Sequence, residues 1–249
     1  MLELRIKRRL KSLNLDSFSE YCEYLFDQRG QKEEIVHFLN VVTTNKTDFF
    51  REPDHFDYLV QKVVPEYIAS KGGERPMLIW SAGCSTGEEP YTLAMVMSEF
   101  AQAHAGFRFR VLATDISTTV LDKAKLGIFS AEAARPVAPE LRRKYFMRSR
   151  DRSSNLLRVV PELRQLVEFR RINFKDADYG ISEKPDAIFC RNVIIYFDRP
   201  TQEQILQRLS NHLAPGGYCF VGHSETLHGM DLPLQPVGPA LYRRIDARQ

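Results

Sequence analysis

The chain has 249 residues, of which 43% are hydrophobic and 27% charged, with a formal net charge of +3 at pH 7. That is the make-up of a soluble globular protein with one large domain, or a small and a medium one. No apolar run reaches the roughly 18–20 residues that a membrane span needs, and the opening MLELRIKRRL has no apolar signal core, so neither insertion nor export is expected and the protein is placed in the cytoplasm.

The cysteines Cys22, Cys84, Cys190 and Cys219 share no CxxC spacing. That argues against a disulfide framework or a cysteine-zinc site, and no metal is expected. Charge is uneven along the chain. Residues 3–11 hold five bases against one acid, and residues 142–171 hold ten against three. Such patches attract acidic partners or form a solvated face.

Residues 1–42 read as a small helical domain. Leu2, Ile6, Leu10 and Leu13 recur at three- to four-residue spacing, as do Tyr21 and Leu25, then Ile35, Phe38 and Leu39. Asn14 to Ser19 interrupt the pattern; Asp16 or Ser17 is placed to cap a second helix and Gly30 to end it. TTNKTDFFREPDHF (43–56) is a linker rich in capping residues, and a helix over 54–70 leads to Lys71-Gly72-Gly73. From Met77 onward strands and helices alternate: strand 77–81, helix 89–103, strand 108–114, helix 118–126, strand 166–172, strand 186–190, helix 201–213, strand 218–222 and a last strand in 238–245. That alternation implies a mostly parallel sheet covered on both faces. About forty residues between 126 and 166 break the rhythm. Leu156–Val160 followed by Pro161 reads as an extra strand, and 142–165 as a small antiparallel excursion within the domain 43–249.

The run MLIWSAGCSTGEE (77–89) joins an apolar strand to a small-residue loop and two acids at a helix start. Such a turn brings backbone N–H groups and a helix N-terminus up to a nucleotide-like ligand. Asp115 ends the second strand, 28 residues after Gly87, where a carboxylate can accept hydrogen bonds from ribose hydroxyls. Together they point to an adenosine-containing cofactor on a doubly wound sheet. Gly83 to Gly87 also fit GxSxG, the nucleophile elbow of hydrolases, with Asp186 or Asp198 and His223 as partners in order. The mainly helical reading of the first 76 residues disfavours that rival, because the elbow needs core strands before it. The GxGxxG fingerprint of nicotinamide binding is absent, and so is a phosphate-binding loop with its lysine. Methyltransferases on this sheet read acid-x-Gly-x-Gly-x-Gly here; the present run has Ser81 for the acid and Ser85 for the middle glycine, with acids shifted to Glu88 and Glu89.

Five blocks fall in one order: TTNKTDFFREPDHF (43–56), WSAGCSTGEEPYTLAM (80–95), ATDIS (113–117), FCRNVIIYFD (189–198) and APGGYCFVGHSETL (214–227). From about residue 5 to the end, the chain closely resembles the chemotaxis receptor methyltransferase (CheR) family. The resemblance implies a Rossmann-like seven-stranded α/β sheet, a small helical N-terminal domain and an inserted antiparallel β-subdomain. It implies S-adenosylmethionine as cofactor, S-adenosylhomocysteine as product, and methylation of glutamate side chains on the cytoplasmic methylation helices of chemoreceptors. Asn45, Thr47 and Arg51 would then cover the methionine end of the cofactor, Gly83 and its loop with Glu89 would pass beneath it, and Asp115 would hold the ribose. Asn173 and Phe174 would flank the adenine, and Arg191 and Asn192 would line the methyl-transfer cleft. Arg51 and Tyr196 are the expected orienting groups in catalysis. Arg5, Lys7, Arg8 and Arg9 form a basic helix expected to meet the acidic receptor.

Two departures stand out. The chain opens directly on the basic helix, so the N-terminal domain reads as shortened. RSRDRSSNLLR (148–158) also lacks the glycine-rich loop of members that dock on a receptor's C-terminal pentapeptide, which counts against tethering of that kind. Asn192-Val-Ile-Ile-Tyr196 lacks the prolines of the Asn/Asp-Pro-Pro-Tyr turn that presents carbonyl acceptors to an exocyclic amine, so a nucleic-acid substrate is not expected. A non-catalytic scaffold is disfavoured because Arg51 and Tyr196 are both present.

Overall fold

A computed structural model describes residues 2–28, 30–71, 74–151 and 153–245. Three helices come first: α1 (Leu2–Leu13), α2 (Phe18–Phe26) and α3 (Gly30–Val42). Ser17 caps α2, its hydroxyl accepting from the Glu20 N–H. Gly30 opens α3 instead of ending α2, which stops at Phe26. The reason is steric: a side chain at Gly30 would meet the Tyr24 carbonyl of the preceding helix. Leu10, Tyr21 and Leu25 form the buried centre. Glu34 is buried there too; it accepts a two-pronged contact from Arg9 (2.8 and 2.5 Å) and the Tyr21 hydroxyl (2.7 Å). Burial pushes the Glu34 carboxyl up, but these donors more than reverse it and leave its pKa lowered.

Residues 54–71 form one helical run, α4 (Asp54–Tyr58), a π turn over Leu59–Val63 and α5 (Val64–Lys71). Gly72-Gly73 lies outside the described residues. MLIWSA then forms β1 (Met77–Ala82), buried at every position as a central parallel strand must be. After it come α6 (Glu88–Ala103), β2 (Phe109–Asp115) and α7 (Thr118–Leu126). The intervening stretch holds β3 (Ile128–Ser130), α8 (Pro139–Tyr145), β4 (Phe146–Arg148), β5 (Leu156–Val159) and the short helix α9 (Pro161–Arg164). Then follow β6 (Val167–Arg171), β7 (Ala187–Cys190), α10 (Arg199–His212), β8 (Tyr218–Val221), β9 (Leu234–Gly238) and β10 (Leu241–Arg244).

The main sheet has seven strands in the order β6-β2-β1-β7-β8-β10-β9. The first five are parallel and the last two are joined antiparallel. One hydrophobic cluster covers each face, around Phe49, Tyr91 and Phe189 on one side and Trp80, Ile188 and Leu206 on the other. The second sheet, β3-β5-β4, is antiparallel and begins at Ile128, well before the expected 142. A three-residue strand carries too little alternation to be read from sequence. β9, an edge strand interrupted by Pro236, is likewise unmarked in the sequence, where the last strand is expected to begin only at Gly238.

Arg9→Ala should leave Glu34 buried without its cation. The expected loss is at the lower end of about 3–5 kcal/mol, because the arginine is itself 22% exposed. Urea unfolding of the full chain measures it; an unchanged midpoint would show that the pair does not hold the three helices together.

Candidate active site

Where the strand order reverses, between β1 and β7, the loops leaving the C-terminal strand ends diverge, and this is where α/β sheets bind ligands. A cleft of about 300 Å³ opens there. Gly83 and Ser85 lie after β1, Asp115 at the end of β2, Ile172 to Phe174 after β6, and Arg191 to Val193 after β7. The linker from Val42 to Arg51 closes the remaining side.

The turn after β1 takes three left-handed residues, Gly83 (φ 86°), Ser85 (φ 49°) and Gly87 (φ 103°). Gly83 also packs against Val193, where a Cβ would collide. Ser85 accepts the strain of the middle position because both its polar groups are engaged: its N–H donates to Asp115 Oδ2 (2.9 Å) and its hydroxyl to the Asn45 carbonyl (2.9 Å). The other Asp115 oxygen accepts from the Ser117 N–H (2.9 Å), while Ser117 itself caps α7. Burial raises the Asp115 pKa against the pull of these N–H groups. Each carboxylate oxygen has a second lone pair, so Asp115 can hold the loop and still accept two hydroxyls from a ligand.

Ser81 occupies the expected acid position, and the acid reaches it from α6: Glu89 Oε1 accepts from the Ser81 hydroxyl (2.7 Å). Glu89 Oε2 and Glu52 Oε2 lie 3.5 and 3.4 Å from Nε of Arg191. Arg191 sits over the Phe56 ring at 5.2 Å, and its Nη2 donates to the Arg51 carbonyl. Its Nε and Nη1 are buried with no hydrogen-bond acceptor. Burial raises the Glu89 pKa, and Arg191 opposes it.

Glu225 holds the loop after β7. One of its oxygens accepts from the N–H groups of Gly222 (2.6 Å) and Asn192 (2.8 Å), the other from Val193 and Ile194 (2.9 Å each) and Ile195 (3.3 Å). This lets Asn192 take a left-handed turn (φ 58°) and aims the short helix Ile194–Tyr196 past the cleft mouth. Tyr196 lines the cleft and is 58% exposed. In the sequence Glu225 is marked only as one acid among the glycine and turn residues of GHSETL, which assigns it no role.

Asn45, Thr47, Arg51, Gly83, Glu89, Asp115, Asn173, Phe174, Arg191, Asn192 and Tyr196 therefore all line one cleft. Arg51 makes a long contact with the Lys46 carbonyl (3.4 Å), and Asn173 accepts from the Lys175 N–H in a turn. The basic helix is less uniform than expected. Arg5 donates to the Val41 and Thr43 carbonyls and Arg9 to Glu34, so both serve internal structure while still bordering the open hollow beside α1. Lys7 pairs with Glu3 at the surface, and Arg8 lines an open hollow that shares Thr43 to Lys46 with the cleft. The hydrolase rival fails on geometry. The Ser85 hydroxyl donates to a carbonyl, Asp186 pairs with Arg75, Asp198 caps α10 and His223 pairs with Asp54. Cys84 and Cys190 are both buried, and burial pushes their thiols well up, which disfavours a nucleophilic thiolate.

Residues 45–240 match the family model "CheR methyltransferase, SAM binding domain", and residues 1–43 match "CheR methyltransferase, all-alpha domain". The chain is 42% identical over 238 residues to chemotaxis protein methyltransferase 2 of Pseudomonas aeruginosa, covering 96% of this chain and 82% of that one. It is 40% identical over 242 residues to the chemotaxis protein methyltransferase of Salmonella typhimurium, covering 97% and 81%. Against the Escherichia coli protein of the same name it is 39% identical over 242 residues, covering 97% and 82%.

Glu225→Gln turns an NH₂ toward backbone N–H groups that now meet an anion. Loss of one such charged hydrogen bond costs about 1.5–3 kcal/mol, or a melting point lower by roughly 3–12 °C for a chain of this size. Amide exchange at Asn192 to Ile195 should rise more than in the strands. Equal protection in the variant would show that Glu225 does not hold the loop.

Proposed function

The chain belongs to the CheR methyltransferase family, and from that premise we propose that it methylates glutamate side chains on the cytoplasmic methylation helices of chemoreceptors. It is an S-adenosylmethionine-dependent methyltransferase of chemotaxis. The products of the proposed reaction are a glutamyl methyl ester and S-adenosylhomocysteine, and the proposed setting is the cytoplasm. We assign residues 1–42 to a helical domain that faces the receptor and 43–249 to the methyltransferase domain, with the small sheet as its subdomain.

The observation that carries this reading is the pairing, in one cleft, of an acceptor with spare lone pairs, Asp115, and a cation with unpaired donors, Arg191. A ligand with a diol at one end and an anionic group at the other satisfies both. Buried Ile172 and Phe174 give the apolar wall that a flat base requires. The donor set thus fits the cofactor: Asp115 for the ribose, Phe174 and Asn173 for the adenine, and Asn45, Thr47, Arg51 and Arg191 for the methionine end. When bound, the cofactor supplies an electrophilic methyl group on a cationic sulfur.

Glutamate has a free pKa of about 4.3, so the substrate arrives as an anion and no residue needs to remove a proton. Charge is lost as the carboxylate attacks, which favours a cleft closed to water by the linker. The protein's task is then alignment. A strong ion pair on the attacking oxygen would stabilise the ground state more than the transition state. Arg51 is therefore assigned to the non-attacking oxygen, and the neutral hydroxyl of Tyr196 to positioning. Among the described residues the Tyr196 hydroxyl does not tie down the next helix, which Asp198 caps instead. Arg8 and Lys46 lie on the path between the basic helix and the cleft, suited to an acidic helical substrate.

The test is transfer of a labelled methyl group from the cofactor to receptor cytoplasmic fragments, with mapping of the modified residue. Base-labile label on glutamate is expected. Tyr196→Phe should lower kcat and kcat/KM together by roughly 10–100-fold, with product affinity unchanged. Label on lysine, or on nucleic acid alone, would overturn the substrate assignment; normal turnover in Tyr196→Phe would remove only the tyrosine from the chemistry.

A further inference from the structure

Beside the cleft, on the far side of the linker, Glu52, His55 and His223 converge. One ligand-type atom from each lies within 4.8 Å of the others, and this is the one such His, Cys, Asp or Glu cluster among the described residues. Glu52 Oε2 is 3.6 Å from His55 Nδ1, and the two imidazole rings stand edge to face with centroids 4.9 Å apart. A second, independent feature marks the place. His55 is only 2% exposed, yet neither of its ring nitrogens has a hydrogen-bond partner, and the buried Glu52 Oε2 has none either. Buried nitrogens and oxygens without partners are costly, and native structures satisfy almost all of them.

We propose that Glu52, His55 and His223 form a binding site for one divalent transition ion of the zinc type. Two imidazoles and a carboxylate, with a fourth position left to water, are a donor set this class of ion favours. Metal bonds of about 2.0–2.2 Å place tetrahedral ligand atoms about 3.3–3.6 Å apart. The Glu52–His55 pair is within a few tenths of an ångström of that already. The remaining closure falls to His223, whose side chain is 47% exposed and can turn inward. Asp54 Oδ2, 3.2 Å from His223 Nε2, supplies the carboxylate partner that a ligating imidazole ordinarily has. The guanidinium of Arg191 nearby opposes a cation, but three carboxylates, Glu52, Glu89 and Asp54, outnumber it.

The ion would join two chain segments that otherwise meet at His223 through its N–H to Glu52 Oε1 (3.3 Å) and its Nε2 to Asp54 Oδ2 (3.2 Å). One segment is the linker that carries Arg51, and the other follows β8 and leads to Glu225. The site is built on histidine and glutamate, which is why cysteine spacing gave no sign of it.

Chelator-treated full-length protein titrated with Zn²⁺ by calorimetry, and with Co²⁺ by visible absorption, tests the proposal. One ion per chain is expected, with a tetrahedral Co²⁺ spectrum and a melting point that rises with Zn²⁺. His223→Ala, at a half-exposed side chain, should keep the metal-free melting point, lose at least about tenfold in Zn²⁺ affinity and lose the Co²⁺ spectrum. His228→Ala, an exposed histidine outside the cluster, should behave like wild type. Equal Zn²⁺ binding by wild type and His223→Ala, or no binding by wild type, would overturn the site.

Discussion

The cleft depends on carboxylates that grip loop backbones. Asp115 accepts from the N–H groups of Ser85 and Ser117, and so fixes the turn after β1 to the tip of β2 and the start of α7. Glu225 accepts from Gly222 and four successive residues after β7. Asp186 does the same at the other end of the sheet, accepting from the Leu78 N–H while pairing with Arg75. Loops that leave parallel strands have no ladder to hold them, and a buried anion facing several N–H groups is a compact way to give them one shape. The linker is held by the loops in turn, through the Ser85 hydroxyl on the Asn45 carbonyl and Arg191 on the Arg51 carbonyl.

This rigidity suits the reaction. Methyl transfer to a carboxylate needs neither a base nor a covalent intermediate, so the gain comes from holding three atoms in line within a water-poor space. In the proposed reaction Tyr196 and Arg51 would act by their placement. The buried group around Arg191 is consistent with this. Its two flanking carboxylates and the ring of Phe56 keep the guanidinium in one place while leaving two donors unpaired.

The alternating strands and helices from Met77 onward, the turn after β1 and Asp115 were readable because apolar periodicity and a small-residue turn are local signals, whereas the other cleft residues came from the resemblance of five ordered blocks to one family. What was not readable depends on distant pairings. Arg9 looks like a surface base in sequence, and its partner Glu34 lies 25 residues away on another helix. Ser81 looks like a missing acid until Glu89 folds back onto it. Glu225 looks like one more polar turn residue until the loop after β7 wraps around it. The strands β3 and β9 are too short, or too interrupted by proline, to show a period.

The most direct test of chemistry by alignment is the pH dependence of the single-turnover rate with a saturating receptor methylation fragment. The rate should rise through the pKa of the substrate glutamate and stay level from about pH 6 to 9, because the nucleophile is already ionised there. A rate that keeps rising about tenfold per pH unit through 7 to 8 would mean that the protein must supply a base, and would contradict the account.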